Sequence, residues 1–118
     1  MTIRFRNLVV WEKAMGLAER VYGVTERFPR SEMYGLTSQV RRAALSIPSN
    51  IAEGKAIGGQ SYPHHLRIAL GSQAELETQI ELARRLAMLT ESEAAEMMER
   101  TSEVGRMLVG LLNALPKP

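Results

Sequence analysis

Apolar residues recur at intervals of three and four along four long segments of this 118-residue chain, and this spacing limits its fold more than any other feature. Side chains at those intervals share one face of an α-helix, whereas a strand requires alternation at every second residue, which no segment shows. Four amphipathic helices joined by short turns bury their apolar faces most economically against one another. We therefore predict an all-α fold, an antiparallel up-down-up-down four-helix bundle, as a single domain over residues 1–118.

The first helix is predicted from Leu8 to Phe28, with Asn7 as its N-cap and Pro29 ending it. Its apolar residues form two rows at helical spacing. One row consists of Leu8, Trp11, Met15, Ala18 and Tyr22, and the other of Val10, Ala14, Leu17, Val21, Val24 and Phe28. Together the rows make an apolar face that is wider than the core of one bundle needs.

The second helix is predicted from near Ser31, a candidate cap, to about Ala56, with Pro48 in its interior. A proline there removes one amide donor and presses its ring against the carbonyl of Ala44, so we expect a proline-kinked helix, bent or broken near Ser46. The alternative is that one helix ends and another begins, with Pro48 at its first position.

The third helix is predicted from Ser61, its cap, to about Leu89, and its apolar stripe continues to Ala87. Thr90 and Glu93 then form a T-x-x-E capping box, which opens a fourth helix with unbroken three-and-four spacing. Two prolines are expected to stop this last helix, Pro116 and Pro118.

Composition excludes several kinds of chemical site. The chain has no cysteine and no aspartate, so disulfides, thiolate metal sites and cysteine nucleophiles are ruled out. The two histidines, His64 and His65, point about 100° apart on a helix and are poorly placed to share a metal. We expect both in solvent, and we predict no metal site and no cofactor.

No catalytic arrangement is evident either. The glycine-bearing segment 54–59 follows a helix and lacks the G-K-[ST] ending of a phosphate-binding loop. Helical-bundle RNases of one type pair an arginine with a histidine one to two turns further on, but the nearest basic residue before His64 is Lys55, placed in the loop. The sequence supplies no acid–base constellation, so we predict that the protein is not an enzyme.

The amino-terminal residues bear on localisation. Residues 1–8 are interrupted by Arg4 and Arg6 and lack the apolar core and small-residue cleavage site of a signal peptide. No apolar run approaches the roughly 18 residues of a membrane-spanning helix. We expect a cytoplasmic protein with no membrane partner.

Polar residues gather around Pro48 in the second helix, and two residues of the third helix, Ser72 and Glu75, are placed to face them. The members in the second helix are Ser46, Ser49, Asn50 and Glu53. They form either a polar recognition site or a structural motif that satisfies the carbonyls freed by the proline and sets the helix register. We favour the structural interpretation.

Basic residues concentrate in the first part of the chain. Residues 1–67 have a charge balance of +5 and residues 68–118 a balance of −3, which together give the net charge of +2. The candidate nucleic-acid-binding residues are Arg4, Arg6, Lys13, Arg20, Arg41, Arg42, Lys55 and Arg67. One copy has too small an excess for firm binding, but a ring of copies multiplies it, and we predict contacts with phosphate groups. The three tyrosines are scattered and do not interleave the basic run, so base stacking is not predicted.

Several stretches of the sequence form a familiar pattern. They are Leu8–Ala14, Phe28–Pro29 with Glu32 and Tyr34–Leu36, Gln39–Ala44, Ser46–Gly54, and Ile68–Ser72 with Glu75–Thr78. The pattern resembles the four-helix-bundle family named for the 23S rRNA intervening-sequence protein, from Phe5 to about Leu89, and Ser46–Gly54 is its most specific part. The resemblance implies a kinked second helix, no known enzymatic activity, and a homopentamer with a central channel. A second apolar row on the first helix fits burial against a neighbouring subunit.

The family is also similar to the accessory variability determinant of diversity-generating retroelements, whose basic surface engages nucleic acid and a reverse transcriptase. This similarity implies an RNA or RNA–protein partner. Members often carry a basic residue in the loop after the Glu-Gly pair and a lysine near the start of the third helix. This chain has no basic residue at either place. Ile57 and Gly58 stand in the loop, and Tyr62 and Pro63 stand near the start of the third helix.

The leading hypothesis is therefore a non-catalytic, homopentameric adaptor that binds structured nucleic acid through its basic residues, with RNA as the favoured partner and DNA as the other candidate. The alternative is a scaffold that recruits a protein partner through its apolar rows or a central channel and has no role with nucleic acid.

Overall fold

Residues 4–116 are described by a computed structural model of the chain. Four α-helices make up most of this stretch: α1 is Val9–Thr25, α2 is Leu36–Ile57, α3 is Ser61–Arg85 and α4 is Glu91–Ala114. Single-turn 3-10 helices, Phe5–Asn7 and Arg30–Glu32, precede α1 and α2. Across residues 4–116 there is no strand, so the all-α prediction with four helices is confirmed.

All four helices contribute to one apolar core. Leu17 of α1, Ile47 of α2, Leu66 of α3 and Leu108 of α4 are fully buried within it. Each such side chain contributes roughly 1.5–3 kcal/mol when it leaves water, and this burial holds the helices together.

The two apolar rows of α1 have different surroundings. The row that begins with Val10 faces the core, and all six of its members are buried. The row that begins with Leu8 is only partly covered, and Tyr22 at its end is 42% exposed. The row that faces outward is thus the one that begins with Leu8.

The first helix begins within one residue of its predicted start, but its predicted cap and its predicted end were wrong. Asn7 belongs to a 3-10 turn, and Leu8 occupies the N-cap position without a side-chain cap bond. At the other end α1 stops at Thr25, whose hydroxyl donates to the carbonyl of Val21 at 2.7 Å. The chain then tightens into a turn in which the Phe28 amide bonds to the Thr25 carbonyl, because Pro29 cannot continue a helix.

The predicted start of the second helix was also wrong. Ser31 lies in the 3-10 turn, and α2 begins five residues later, at Leu36. The carboxylate of Glu32 accepts the Leu36 amide at 3.0 Å and so performs the capping role expected of Ser31. Gly35 makes this possible, because a Cβ on it would lie 2.8 Å from the Glu32 carboxylate oxygen.

The second helix is continuous from Leu36 to Ile57, with Pro48 inside it and buried. The alternative of two helices, the second beginning at Pro48, is therefore wrong. Lys55 was predicted in the following loop, but it lies in the last turn of α2. The loop itself contains Gly58 and Gly59, both with positive φ, which glycine adopts without steric cost.

The third helix has Ser61 as its first residue, within one residue of the predicted start, but Gln60 and not Ser61 occupies the N-cap position, without a side-chain cap bond. The helix ends at Arg85, four residues before the predicted end. Ala87 lies outside the helix with φ at 60° and is exposed, so it does not extend the apolar stripe. The Met88 amide bonds back to the Ala83 carbonyl at 2.9 Å, which closes the helix end around Ala87.

We expect the Ala87→Gly variant to be more stable than the wild type by roughly 0.5–1 kcal/mol. Alanine at positive φ has its Cβ close to a carbonyl oxygen, a strain of about 1–2 kcal/mol that glycine avoids, and part of this gain is offset by the greater freedom of glycine in the unfolded chain. Urea unfolding of the two proteins measures the difference. A loss of stability would contradict the assignment of strain to this residue.

The fourth helix opens with the predicted capping box. The Thr90 hydroxyl accepts the Glu93 amide and the Glu93 carboxylate accepts the Thr90 amide, both at 3.0 Å. The helix ends at Ala114, just before Pro116. Pro118, the second predicted stop, lies outside the described residues. Among residues 4–116, no helix combines the length and the apolar character needed to cross a membrane.

Candidate nucleic-acid interface

Two basic residues of α1, and a third in the turn just after it, are paired with glutamates of α4. The three follow one another at intervals of seven residues, so the two on α1 lie along one side of the helix. The pairs are Lys13 with Glu103 at 3.5 Å, Arg20 with Glu96 at 2.9 Å, and Arg27 with Glu93. We call these three pairs the α1–α4 ladder. The ladder cancels much of the charge asymmetry between the two parts of the sequence, because basic residues of the first part meet acidic residues of the second.

The middle pair of the ladder has the best geometry. Arg20 donates to both carboxylate oxygens of Glu96, which also accepts a bond from Arg100 at 2.9 Å. The hydrogen bond from Arg20 lowers the pKa of Glu96, and the Thr90 amide together with Arg27 lowers the pKa of Glu93. On α3, bonds from Arg84 and Arg85 lower the pKa of Glu81 to about 2.

These pKa shifts predict weakening of the bundle in acid. A carboxyl group with a lower pKa in the folded protein stabilises it fully above the ordinary pKa of 4.5 and loses that contribution as the pH falls through the folded value. We expect the melting temperature to fall as the pH is lowered from about 5 towards about 2. The Glu96→Gln variant should be less stable at neutral pH and show a smaller fall. An equal fall in both proteins would exclude Glu96 as a contributor.

Arg41 connects α2 to the end of α1. Its guanidinium donates to the Thr25 hydroxyl at 2.8 Å, lies 3.3 Å from the Glu26 carboxylate, and sits 4.6 Å from the centre of the Tyr22 ring. These contacts hold two helices together, so the structure gives Arg41 a structural role within the chain.

Two other arginines in the predicted set have no such contacts. Arg42 of α2 and Arg67 of α3 are exposed, and within residues 4–116 neither has an ion-pair partner. Lys55, also in α2, has its ammonium 5.1 Å from the centre of the Tyr62 ring of α3. Such a cation–π contact contributes only about 0.5–1 kcal/mol at an exposed site and leaves the charge in place.

The remaining members of the set lie at the amino terminus. Arg4 and Arg6 are exposed, and the Arg6 guanidinium lies 5.9 Å from the centre of the Phe5 ring. The Phe5 ring in turn packs edge-on against Trp11, at 5.3 Å between centres. The predicted basic set is therefore divided among the amino terminus, the α1–α4 ladder, the α1–α2 contact and the α2–α3 pair.

The polar residues around Pro48 meet α3 as predicted. The hydroxyls of Ser46 and Ser72 lie 2.8 Å apart, and the side-chain amide of Asn50 donates to the Ser46 carbonyl at 2.9 Å. These bonds fit the structural interpretation, because the polar atoms satisfy one another and fix one helix against the next. Beside them Arg42 and Glu75 line a polar groove of about 270 Å³.

The expectation that both histidines lie in solvent was wrong for His65. His64 is exposed, but the His65 side chain is only 14% exposed. Its Nδ1 donates to the Ser61 carbonyl at 2.9 Å, since a carbonyl can only accept, and its Nε2 lies 3.4 Å from the Glu53 carboxylate. His65 and Glu53 thus join the start of α3 to the end of α2.

Gly54 lies at the same crossing of α2 and α3. A Cβ placed on it would lie 2.8 Å from the His65 Cβ, 3.2 Å from the Ser61 carbonyl oxygen and 3.3 Å from the Tyr62 Cα. The Glu53-Gly54 pair therefore allows a close helix crossing. For residues 4–116, no group of three or more histidine or glutamate side chains is placed to hold a metal ion.

Tyrosines are the feature of this surface that the sequence did not reveal. Tyr22 lies against Arg41 and Tyr62 against Lys55. In both cases the partners are separated in the chain and come together through the packing of different elements, so spacing along the sequence shows no interleaving. The sequence spacing therefore did not predict the contacts of these two tyrosines with basic residues.

This chain resembles known proteins in sequence and in structure. The family model described as 23S rRNA-intervening sequence protein matches residues 6–110. The chain is similar in structure to a crystal structure of a protein of unknown function from the S23 ribosomal protein family of Bacteroides thetaiotaomicron VPI-5482. The TM-score is 0.83 at 22% identity, over 90% of this chain and 100% of that one, and this likeness concerns the fold. No significantly similar relative is found among curated proteins.

Proposed function

The chain belongs to the 23S rRNA-intervening sequence protein family, and from this premise we propose that it is a non-catalytic, homopentameric adaptor that binds structured RNA through phosphate contacts. The binding surface is the α2–α3 pair of helices, and its phosphate contacts come from Arg42, Lys55 and Arg67. The proposal places it in the cytoplasm, which the lack of cysteine supports.

One observation carries this proposal. Arg42 and Arg67 are exposed arginines on neighbouring helices, and within residues 4–116 their charges are not used in ion pairs. Lys13, Arg20 and Arg41, in contrast, are held by glutamates of the same chain. A phosphate that bound to them would have to displace a carboxylate, whereas a phosphate at Arg42 or Arg67 would not. The narrower set therefore replaces the eight residues predicted from the sequence.

Assembly into a ring supports binding by multiplying a small charge. The partly exposed row of α1 continues onto α2, because Leu45 lies one turn after Arg41, which itself contacts Tyr22. We call Trp11, Met15, Tyr22 and Leu45 the α1–α2 patch. Leu45 is 50% exposed and Tyr22 42% exposed, and a neighbouring copy would remove this apolar surface from water. The family resemblance implies five copies.

The proposal also covers the order of the four helices and the shape of α2. We propose an antiparallel up-down-up-down order of the helices, with a kink in α2 at Pro48. The order of contacts supports the first part: residue numbers rise along α1 and fall along α4 through the α1–α4 ladder. The missing amide of Pro48 supports the second, because it leaves the Ala44 carbonyl without its usual donor inside α2.

The test is a double charge reversal, Arg42→Glu with Arg67→Glu, measured for binding to a blunt RNA duplex. We expect the affinity to fall by at least about tenfold and the dependence of affinity on salt to become shallower, by about one unit of log–log slope per lost phosphate contact. The variant should remain folded, and its assembly should keep the molar mass of the wild-type assembly, because both side chains are exposed.

Arg30→Glu is the matched control. Arg30 is also exposed and, within residues 4–116, has no ion-pair partner, but it lies in the 3-10 turn before α2, outside the α2–α3 pair of helices. An equal loss of affinity in the control and in the double variant would show that net charge, and not the α2–α3 surface, governs binding.

A protein scaffold without a nucleic-acid role is the second candidate. The α1–α2 patch favours it, because an apolar surface of this kind suits a protein partner as well as a second copy. The similarity to the accessory variability determinant, which implies an RNA–protein partner, is compatible with both candidates. Capture of a partner that persists after nuclease treatment, by a protein that binds no RNA duplex, would favour the scaffold.

A further inference from the structure

A cleft of about 400 Å³ lies where the start of α3 meets the end of α4. Its apolar wall consists of Tyr62 and Pro63 from α3 and of Leu112 and Leu115 at the other side. Arg67 lies on its rim. The volume is within the range of pockets that bind small ligands, roughly 300–1,000 Å³.

Two cations lie at this cleft, Arg67 in its lining and Lys55 beside Tyr62. Arg67 is exposed, and the Lys55 ammonium lies 5.1 Å from the Tyr62 ring centre. None of the described residues that line the cleft is acidic. Burial raises the pKa of Tyr62, so its hydroxyl stays neutral and does not repel an anion. An aromatic and apolar wall beside two cations is complementary to a ligand that joins a flat ring to a phosphate.

We propose that this cleft holds one unpaired nucleotide of the bound RNA, with its base against Tyr62 and its phosphate at Arg67 and Lys55. This inference rests on the proposed function and adds to it. Unpaired bases are the part of an RNA that aromatic side chains recognise, since a base inside a helix presents no free face for stacking. The adaptor therefore prefers structured RNA with an unpaired nucleotide to a blunt duplex.

The experiment compares two RNAs of equal phosphate number, a hairpin with an unpaired loop and a blunt duplex. The hairpin carries 2-aminopurine in the loop, a base whose fluorescence falls when it stacks on an aromatic ring. We expect the hairpin to bind more tightly than the duplex and its fluorescence to fall on binding. Tyr62→Leu should weaken hairpin binding by about tenfold, within the range of one lost base stack, and leave duplex binding unchanged.

Two further variants keep the test independent of protein folding. Tyr62→Phe retains the ring and should bind the hairpin as the wild type does. Arg67→Gln changes an exposed side chain and should weaken hairpin binding with a reduction of about one in the salt slope. Melting temperatures of all three variants show whether any loss of binding reflects loss of fold.

The outcomes separate this inference from the function on which it rests. Equal binding of hairpin and duplex, unaffected by Tyr62→Leu, would overturn the inference and leave the proposed function standing. Failure of the wild type to bind either RNA at low salt would overturn both. A change in the mass of the assembly in Tyr62→Leu would show that the cleft is a contact between copies, which also overturns the inference.

Discussion

Replacing Gly54 with alanine is expected to destabilise the protein by about 1–3 kcal/mol, the usual cost of an overpacked contact. Alanine is the better helix former by about 1 kcal/mol, so propensity alone predicts the opposite sign. The close crossing of α2 and α3 decides the outcome, because the new Cβ would lie 2.8 Å from the His65 Cβ and 3.2 Å from the Ser61 carbonyl oxygen. Neither atom is the far end of a flexible side chain, so one helix must move.

Gly71→Ala is the matched control for this prediction. Gly71 lies inside α3 and is exposed, and a Cβ on it would have no neighbour within 4 Å. Here the higher helix propensity of alanine should decide the outcome, and the free energy of unfolding should rise by roughly 0.5–1 kcal/mol. Urea unfolding of both variants gives the two free energies. A stabilised Gly54→Ala variant would mean that α2 and α3 do not approach each other as closely as described.

Replacing Leu45 with glutamate is expected to dissociate the proposed pentamer into monomers while leaving each monomer folded. The Leu45 side chain is 50% exposed in the single chain, so the substitution should change the free energy of unfolding of a monomer by about 0.5 kcal/mol or less. In a ring, each interface would instead bury a carboxylate against the α1–α2 patch, a cost of several kcal/mol that recurs at every interface. The molar mass in solution, measured by light scattering, reports the result.

Leu86→Glu is the matched control, because it makes the same substitution at another exposed leucine. Leu86 is 53% exposed, but it lies just after α3 and outside the α1–α2 patch. The assembly formed by this variant should have the same molar mass in solution as the wild-type assembly. Dissociation by Leu86→Glu, with an intact assembly in Leu45→Glu, would place the interface between copies on a different surface.

Features that depend on neighbours in sequence were predictable. The capping box of Thr90 and Glu93 involves residues three apart, and both of its hydrogen bonds are present. The apolar spacing of the four segments likewise identified four helices. Helix ends were less predictable, because Glu32 caps α2 by reaching four residues forward and Ala87 closes α3 in a conformation usually left to glycine. Neither residue type is typical of these positions.

The candidate site depended on contacts between distant residues and was less accessible from the sequence. The excess of basic residues in the first part of the chain indicated a cationic surface, yet the α1–α4 ladder pairs three of them with glutamates more than sixty residues away. Arg41 and Arg42 are adjacent in sequence, but the first lies against Tyr22 and the second faces solvent. Only the packing of the helices distinguishes them.

The central claim is that this protein binds structured RNA through phosphate contacts, and a salt titration tests it most directly. Nuclease-treated protein is titrated against an RNA hairpin at several salt concentrations. Each neutralised phosphate contributes about −0.7 to −0.9 to the log–log slope of affinity against salt. We predict tight binding at low salt and a steep slope that becomes shallower in the Arg42→Glu, Arg67→Glu variant. An absence of binding at low salt, or binding that does not depend on salt, would contradict the claim.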